Sequence, residues 1–88
     1  MTGSDKQAMT AARDWDSAYR VDARGLPCPQ PLLAMRRALR QRSPGELLHV
    51  IATDPGSEAD FASFSRLSGV PLLRSERRGD EYHYWLQA

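Results

Sequence analysis

The sequence predicts one small α/β domain, a two-layer α/β sandwich ordered β-α-β-α-β-β, with a mixed four-stranded sheet and two helices on one face. Three observations carry this. Four short segments rich in β-branched, aromatic or alternating residues lie between turn signals. Two other segments show helical spacing of apolar residues. Two helices are too few to cover both faces of four strands. The 88 residues leave room for a single core.

Residues 1–16 are small and polar without a strong period, which predicts a disordered tail, and residues 17–88 form the domain. Trp15 is the one residue of the tail suited to packing on the domain. Ser17 to Ala23 alternates, with Tyr19 and Val21 on one face, and reads as the first strand. Arg24-Gly25-Leu26-Pro27 ends it. The first helix is expected from Cys28 to about Arg42, stopped by Ser43-Pro44-Gly45. With Cys28 as N-cap, Pro29 and Pro31 occupy first-turn positions whose N–H groups lack helical acceptors, so neither proline costs a bond. Leu32, Met35, Ala38 and Leu39 share the core face.

Leu47 to Thr53 is a nearly continuous apolar run and reads as a central strand, stopped by Asp54-Pro55-Gly56. Ser57 to Asp60 is close to a capping box and opens a second helix to about Ser68. Its apolar side is read as Phe61, Phe64 and Leu67, and Gly69 suits its C-terminus. Val70 to Glu76 and Glu81 to Leu86 are the last two strands, joined by Arg77-Arg78-Gly79-Asp80. Pro71 marks an edge or a strand entry. Tyr82, Tyr84 and Leu86 take one face of the last strand; His83, Trp85 and Gln87 take the other. His49 and His83 are expected to face solvent.

Composition excludes several classes. No apolar run approaches the ~20 residues of a membrane helix, and the N-terminus has no signal-peptide core, so a cytoplasmic protein without membrane contact is expected. One cysteine makes no internal disulfide. Cys28, His49 and His83 lack metal-ligand spacing, so no metal site is expected. A net charge of +1 gives little pull towards nucleic acid.

The chemistry converges on Cys28. A sulfur at a helix N-cap meets the positive end of the macrodipole, and Gln30 supplies the one first-turn N–H left between the prolines. Five arginines (24, 36, 37, 40, 42) and no carboxylate lie between Arg24 and Arg42. These features predict a thiol pKa below its ordinary ~8.5. Leu33 sits among Arg36, Arg37 and Arg40 on the helix face away from the core, an apolar centre with a charged rim suited to docking a partner protein. Asp22 and Asp54 end the first two strands and are read as structural, bonding loop N–H groups or Arg24.

Asp22-x-x-Gly25-Leu26-x-Cys28-Pro29-x-Pro31 resembles the signature of the TusA/SirA/YedF family of small sulfur-carrier proteins. Pro44-Gly45-Glu46, Asp54-Pro55, and Asp60 with Phe64 also sit where that family places such residues. The resemblance covers about Tyr19 to Ala88. It implies a sulfurtransferase-type carrier that takes sulfane sulfur as a persulfide on Cys28, from a cysteine desulfurase or rhodanese. It would pass the sulfur to an acceptor protein, in tRNA thiolation, sulfur oxidation or cofactor assembly. It further implies that Asp22, Arg24 and Gly25 shape the loop, that Pro29 and Pro31 fix the helix start, and that no cofactor is needed. A monomer forming transient complexes is the expected state. Two other readings compete: a non-catalytic regulatory or RNA/protein-interaction module with a structural Cys28, and a single-thiol redox sensor.

Overall fold

A computed structural model describes residues 15–88 of the chain, so the expected tail up to residue 14 lies outside the described residues. A 3-10 turn, Trp15–Ser17, leads into β1 (Tyr19–Ala23). Then come α1 (Gln30–Arg40), β2 (Leu47–Ala52), α2 (Ser57–Ser68), β3 (Leu72–Arg78) and β4 (Glu81–Gln87). The strands lie in the order β1-β2-β4-β3. β1 and β2 run parallel, whereas β4 is antiparallel to both β2 and β3. The mixed four-stranded sheet and both helices of the expected sandwich are present.

β2 and β4 are central because their residues are apolar or aromatic on both faces. Every residue after the first in β2 is buried, and so are Tyr82 to Leu86 of β4. On the helix side, Leu48, Val50, Ala52, Tyr82, Tyr84 and Leu86 meet Met35 and Ala38 of α1 and Phe61 of α2. Leu32 and Leu39 pack against this cluster, so the four core positions read for α1 all face inwards. Phe61 stacks on Tyr84 with ring centroids 4.3 Å apart.

Several boundaries and faces differ from expectation. β1 starts at Tyr19, because Ser17 closes the 3-10 turn. Leu67 is 83% exposed rather than part of the α2 apolar side. At 100° per residue, steps of three from Phe61 through Phe64 have turned it far off the core face. Ser57, four residues before Phe61, holds that face instead. It is buried, and its hydroxyl bonds the Tyr84 hydroxyl at 2.7 Å. The expected capping box is therefore absent, and Gly56 is the N-cap of α2. The third strand runs two residues later than read, because Arg77 and Arg78 pair with Tyr82 and Glu81. Gly79, at φ +66°, takes the turn with Asp80 alone. Pro71 directly precedes the edge strand β3, and the ladder is irregular between Leu72 and Arg74.

The largest departure lies on the face without helices. His49 and His83 are buried, at 6% and 4% exposure. They bond each other, Nε2 to Nδ1, at 2.9 Å. His49 stacks flat on Trp85 at 4.2 Å, and Trp15 meets Trp85 edge-on at 5.9 Å. Arg74 lies over both indoles. Alternation put His83 on this face; both histidines are buried rather than solvent-facing, because Trp15 and β3 cover this side, which no local pattern reports.

Burial, repulsion from His83, and the nearby Arg20 and Arg78 pull the His49 pKa down to about 4. An unfolded chain thus takes up a proton that the folded one refuses between about pH 6.5 and 4. This contribution to stability is present above pH 6.5 and is lost as the pH falls, on the order of 3 kcal/mol across the window. Urea denaturation at stepped pH should show that decline, and His49→Leu should flatten it. An unchanged slope in the variant would assign the acid sensitivity to other groups.

Candidate functional site

The parallel pairing of β1 with β2 sets Asp22 beside Ile51 and Ala23 beside Ala52, so both strands end at the same edge of the sheet. The two loops that follow them meet there, at the edge where open α/β sheets carry their sites. The first loop bears Cys28. The second bears Asp54 and leads into the first turn of α2.

Three contacts fix the course of the Cys28 loop. Asp22 Oδ1 accepts from the Arg24 backbone N–H at 3.1 Å and from Arg24 Nε at 2.9 Å. Asp22 Oδ2 accepts from the other end of the guanidinium at 3.0 Å. Arg24 hydrogen bonds hold the Asp22 carboxyl down at about 2. Arg24 also reaches Glu81 Oε2 on β4 at 3.3 Å, tying the loop to a second strand. Gly25 stands at φ +80°, where a Cβ is disfavoured, and its N–H donates to Thr53 Oγ1 at 2.9 Å.

The start of α1 differs from the sequence reading. The N-cap is Pro29 and not Cys28, which puts Gln30 at the first helical position and Pro31 at the second. Pro31 is buried, whereas Pro29 and Gln30 are exposed. The Gln30 N–H donates to Pro27 O at 2.8 Å, so it is not the sulfur's partner. The Pro27–Gln30 turn takes up the donor that the N-cap scheme assigned to the thiol. The Cys28–Pro29 peptide is cis.

Cys28 is exposed, and its Sγ lies 2.8 Å from Asp60 Oδ2 in the first turn of α2. At that distance the thiol donates and the carboxylate accepts. Asp54 is close by: its Oδ2 accepts from the Gly56 N–H at 2.9 Å. Gly56 lies between Asp54 and Cys28. A Cβ there would lie 3.0 Å from Asp54 Oδ2 and 3.8 Å from both Cβ and Sγ of Cys28.

These neighbours reverse the expected electrostatics. The Cys28 thiol pKa is raised, first by its bond to Asp60, then by burial, then by the charges of Asp60 and Asp54. The arginines do not offset this. Arg24 is engaged by Asp22 and Glu81, Arg36 lies over the Phe64 ring, and Arg42 lies over the Tyr19 ring. A count of charges along the chain placed basic residues near Cys28; the fold brings in two carboxylates from beyond residue 50 instead. Asp54 bonds a loop N–H, as expected; the contact of Asp60 with the sulfur is the unexpected one, and it had a signal. A right-handed β-α-β unit places the residues after its second strand beside those after its first.

Leu33 is 38% exposed, and Arg36, Arg37 and Arg40 are exposed with it. All four project from one side of α1, within about 60° of Leu33 at helical spacing. Arg36 and Arg40 also border an open depression of about 430 Å³ floored by Leu39, Phe64 and Val70. None of its lining residues belongs to the Cys28 loop. Among the described residues, no three His, Cys, Asp or Glu side chains gather closely enough to hold a metal ion.

Replacing Thr53 by Val removes the acceptor of the Gly25 N–H while keeping the side-chain shape. The expected loss is about 1 kcal/mol, typical of one hydrogen bond. Amide exchange should quicken at Gly25 more than at Val50 in the sheet centre. Equal protection in wild type and variant would show that Thr53 does not hold the loop.

Comparison with known proteins gives one consistent result. A family model described as Sulfurtransferase TusA matches residues 19–88. The chain is 42% identical over 72 residues to the sulfur carrier protein TusA of Allochromatium vinosum, covering 82% of this chain and 95% of that protein. It is 36% identical over 67 residues to a putative sulfur carrier protein, YrkI, of Bacillus subtilis, covering 76% of this chain and 89% of that protein. The TusA sulfur carrier of Pseudomonas aeruginosa is 37% identical over 67 residues, covering 76% of this chain and 85% of that protein.

Proposed function

This chain belongs to the TusA family, and from that premise we propose that it is a sulfur carrier that holds sulfane sulfur as a persulfide on Cys28. The observation that carries this reading is the placing of Cys28. It is the only cysteine in the chain, and it stands exposed on a braced loop at the sheet edge. Exposure also speaks against a purely structural thiol, since free cysteines without chemistry are usually buried.

The transfer balances without a cofactor. Cys28 Sγ attacks the outer sulfur of a donor protein's Cys–S–SH. The donor's S–S bond breaks and a new one forms on Cys28. The proton given up by the Cys28 thiol is matched by one taken by the departing donor thiolate. No net oxidation or reduction occurs. The same exchange, run towards an acceptor protein, discharges the carrier. Stand-alone turnover of a small substrate is expected to be low, because both halves need a second protein. The named family supports a role in sulfur transfer; sulfurtransferase activity and a cytoplasmic setting are part of this proposal. No helix among the described residues is long and apolar enough to cross a membrane.

The residues divide by task in this reading. Asp22, Arg24 and Gly25 brace the loop, and Pro29, Gln30 and Pro31 set the start of α1. Leu33, with Arg36, Arg37 and Arg40 around it, offers donor and acceptor proteins an apolar centre and a basic rim. An interface of this kind gains speed and selectivity of encounter from its charges more than affinity. The partner face it fits is acidic with an apolar socket.

Incubation with a cysteine desulfurase and free cysteine, followed by intact-mass measurement, should show a gain of one sulfur atom. Dithiothreitol should remove it, and Cys28→Ser should never acquire it. Failure to load from desulfurase, rhodanese and polysulfide alike would sink the carrier reading.

Leu33→Asp and Arg37→Glu should each slow loading from the donor protein about tenfold, as expected for loss of ~1.4 kcal/mol at an interface. Loading from polysulfide should hardly change. Unchanged protein-to-protein rates would move the docking surface elsewhere.

A further inference from the structure

Sulfur transfer needs a thiolate, yet the groups around Cys28 oppose one. Asp60 faces the sulfur from α2, with Oδ2 at 2.8 Å, and Asp54 faces it from the loop between β2 and α2. On its own loop the neighbours are Pro27 and Pro29, which carry no charge. The nearest basic residue in the chain, Arg24, is held by Asp22 and Glu81. A carboxylate at hydrogen-bond distance welcomes the thiol proton and repels the thiolate.

We infer that Asp60, seconded by Asp54, keeps Cys28 protonated in the free carrier, so that its sulfur is a weak nucleophile until a docking partner brings positive charge to the two carboxylates. The biological sense of this rests on the carrier reading above; its test does not. Asp60 is a positioning residue here and not a base. It accepts the hydrogen bond of the thiol and opposes the charge that Sγ must take on. Two bonds are at stake in each transfer, the donor S–S bond that breaks and the Cys28 S–S bond that forms. The proton leaves Cys28 once a cation steadies the developing Sγ charge, and the departing donor sulfur takes one up.

This gives the surface two poles. The basic side of α1 fits acidic groups, whereas the carboxylate pair at the sulfur fits a cation. A genuine partner must supply both, and a stray electrophile supplies neither. The raised thiol pKa agrees with the geometry, with the Asp60 bond as its largest cause.

The test uses the purified full chain and needs no donor protein. Thiolate absorbance against pH should place the wild-type Cys28 pKa above that of the same chain unfolded in urea. Asp60→Asn should bring it down by about one unit, the effect of one adjacent charge. That change gives about tenfold more thiolate at neutral pH, and the lower intrinsic nucleophilicity takes back about threefold. A neutral dipyridyl disulfide should therefore react about threefold faster with the variant. Asp54→Asn, which leaves the Cys28–Asp60 contact in place, should act in the same direction to a smaller extent.

The need for a cation is read with two small disulfides, cationic cystamine and anionic dithiodiglycolate. Folded wild type should favour cystamine more strongly than the unfolded chain does, and Asp60→Asn should reduce that preference. The inference is overturned if the wild-type pKa lies at or below the unfolded value, or if neither variant shifts it. A reagent preference that matches the unfolded chain overturns the part played by the partner's charge. A carrier that loads sulfur normally but fails these measurements loses only this inference.

Discussion

The parallel ladder between β1 and β2 is the constraint from which the site follows. Parallel strands cannot be joined by a tight turn, so a helix must cross between them, and both strands then finish at the same edge. Ala23 beside Ala52 is the last rung. Beyond it the two chain segments are close enough for Gly25 to bond Thr53 and for the α2 start to touch Cys28. One antiparallel pairing in place of this ladder would send the two loops to opposite ends of the sheet. The thiol would then have lost its acidic neighbours, and Arg24 its reach to Glu81.

The two faces of the sheet do different work. The helix side holds a conventional apolar core around Phe61, Tyr84 and Met35. The other side is closed by side chains that are themselves polar at one end: indoles, imidazoles and guanidinium groups laid flat over one another. Glu81 joins this lid to the Cys28 loop. One of its oxygens accepts from Arg24, and the other bonds His83 Nε2 at 2.9 Å. His83 in turn bonds His49. A continuous polar path thus runs from Asp22 beneath the Cys28 loop to the middle of the opposite face.

Much of the fold was legible because the helical and strand periods are clean. Met35, Ala38 and Leu39 announce their face of α1, and the unbroken run from Leu47 announces a strand covered on both sides. What was not legible depends on pairs far apart in the chain. Local chemistry gave Cys28 a helix dipole and a ring of arginines; tertiary structure gave it Asp60, thirty-two residues away. The N-cap assignment failed for a related reason. Prolines at 27 and 29 permit several turns, and the one adopted spends the Gln30 N–H on Pro27 O. His49 and His83 are buried rather than solvent-facing, because Trp15 and Arg74 supply the cover from other elements.

β3 is an outer strand, and strands in that position offer unpaired backbone groups to any passing chain. Its irregular ladder at Leu72 and Arg74, the proline just before it, and the guanidinium groups of Arg74, Arg77 and Arg78 all discourage such pairing. A protein whose work is to visit one partner and then leave for another gains from a border that nothing adheres to. In the carrier reading proposed above, a border that resists lasting pairing makes release as much a property of the architecture as capture.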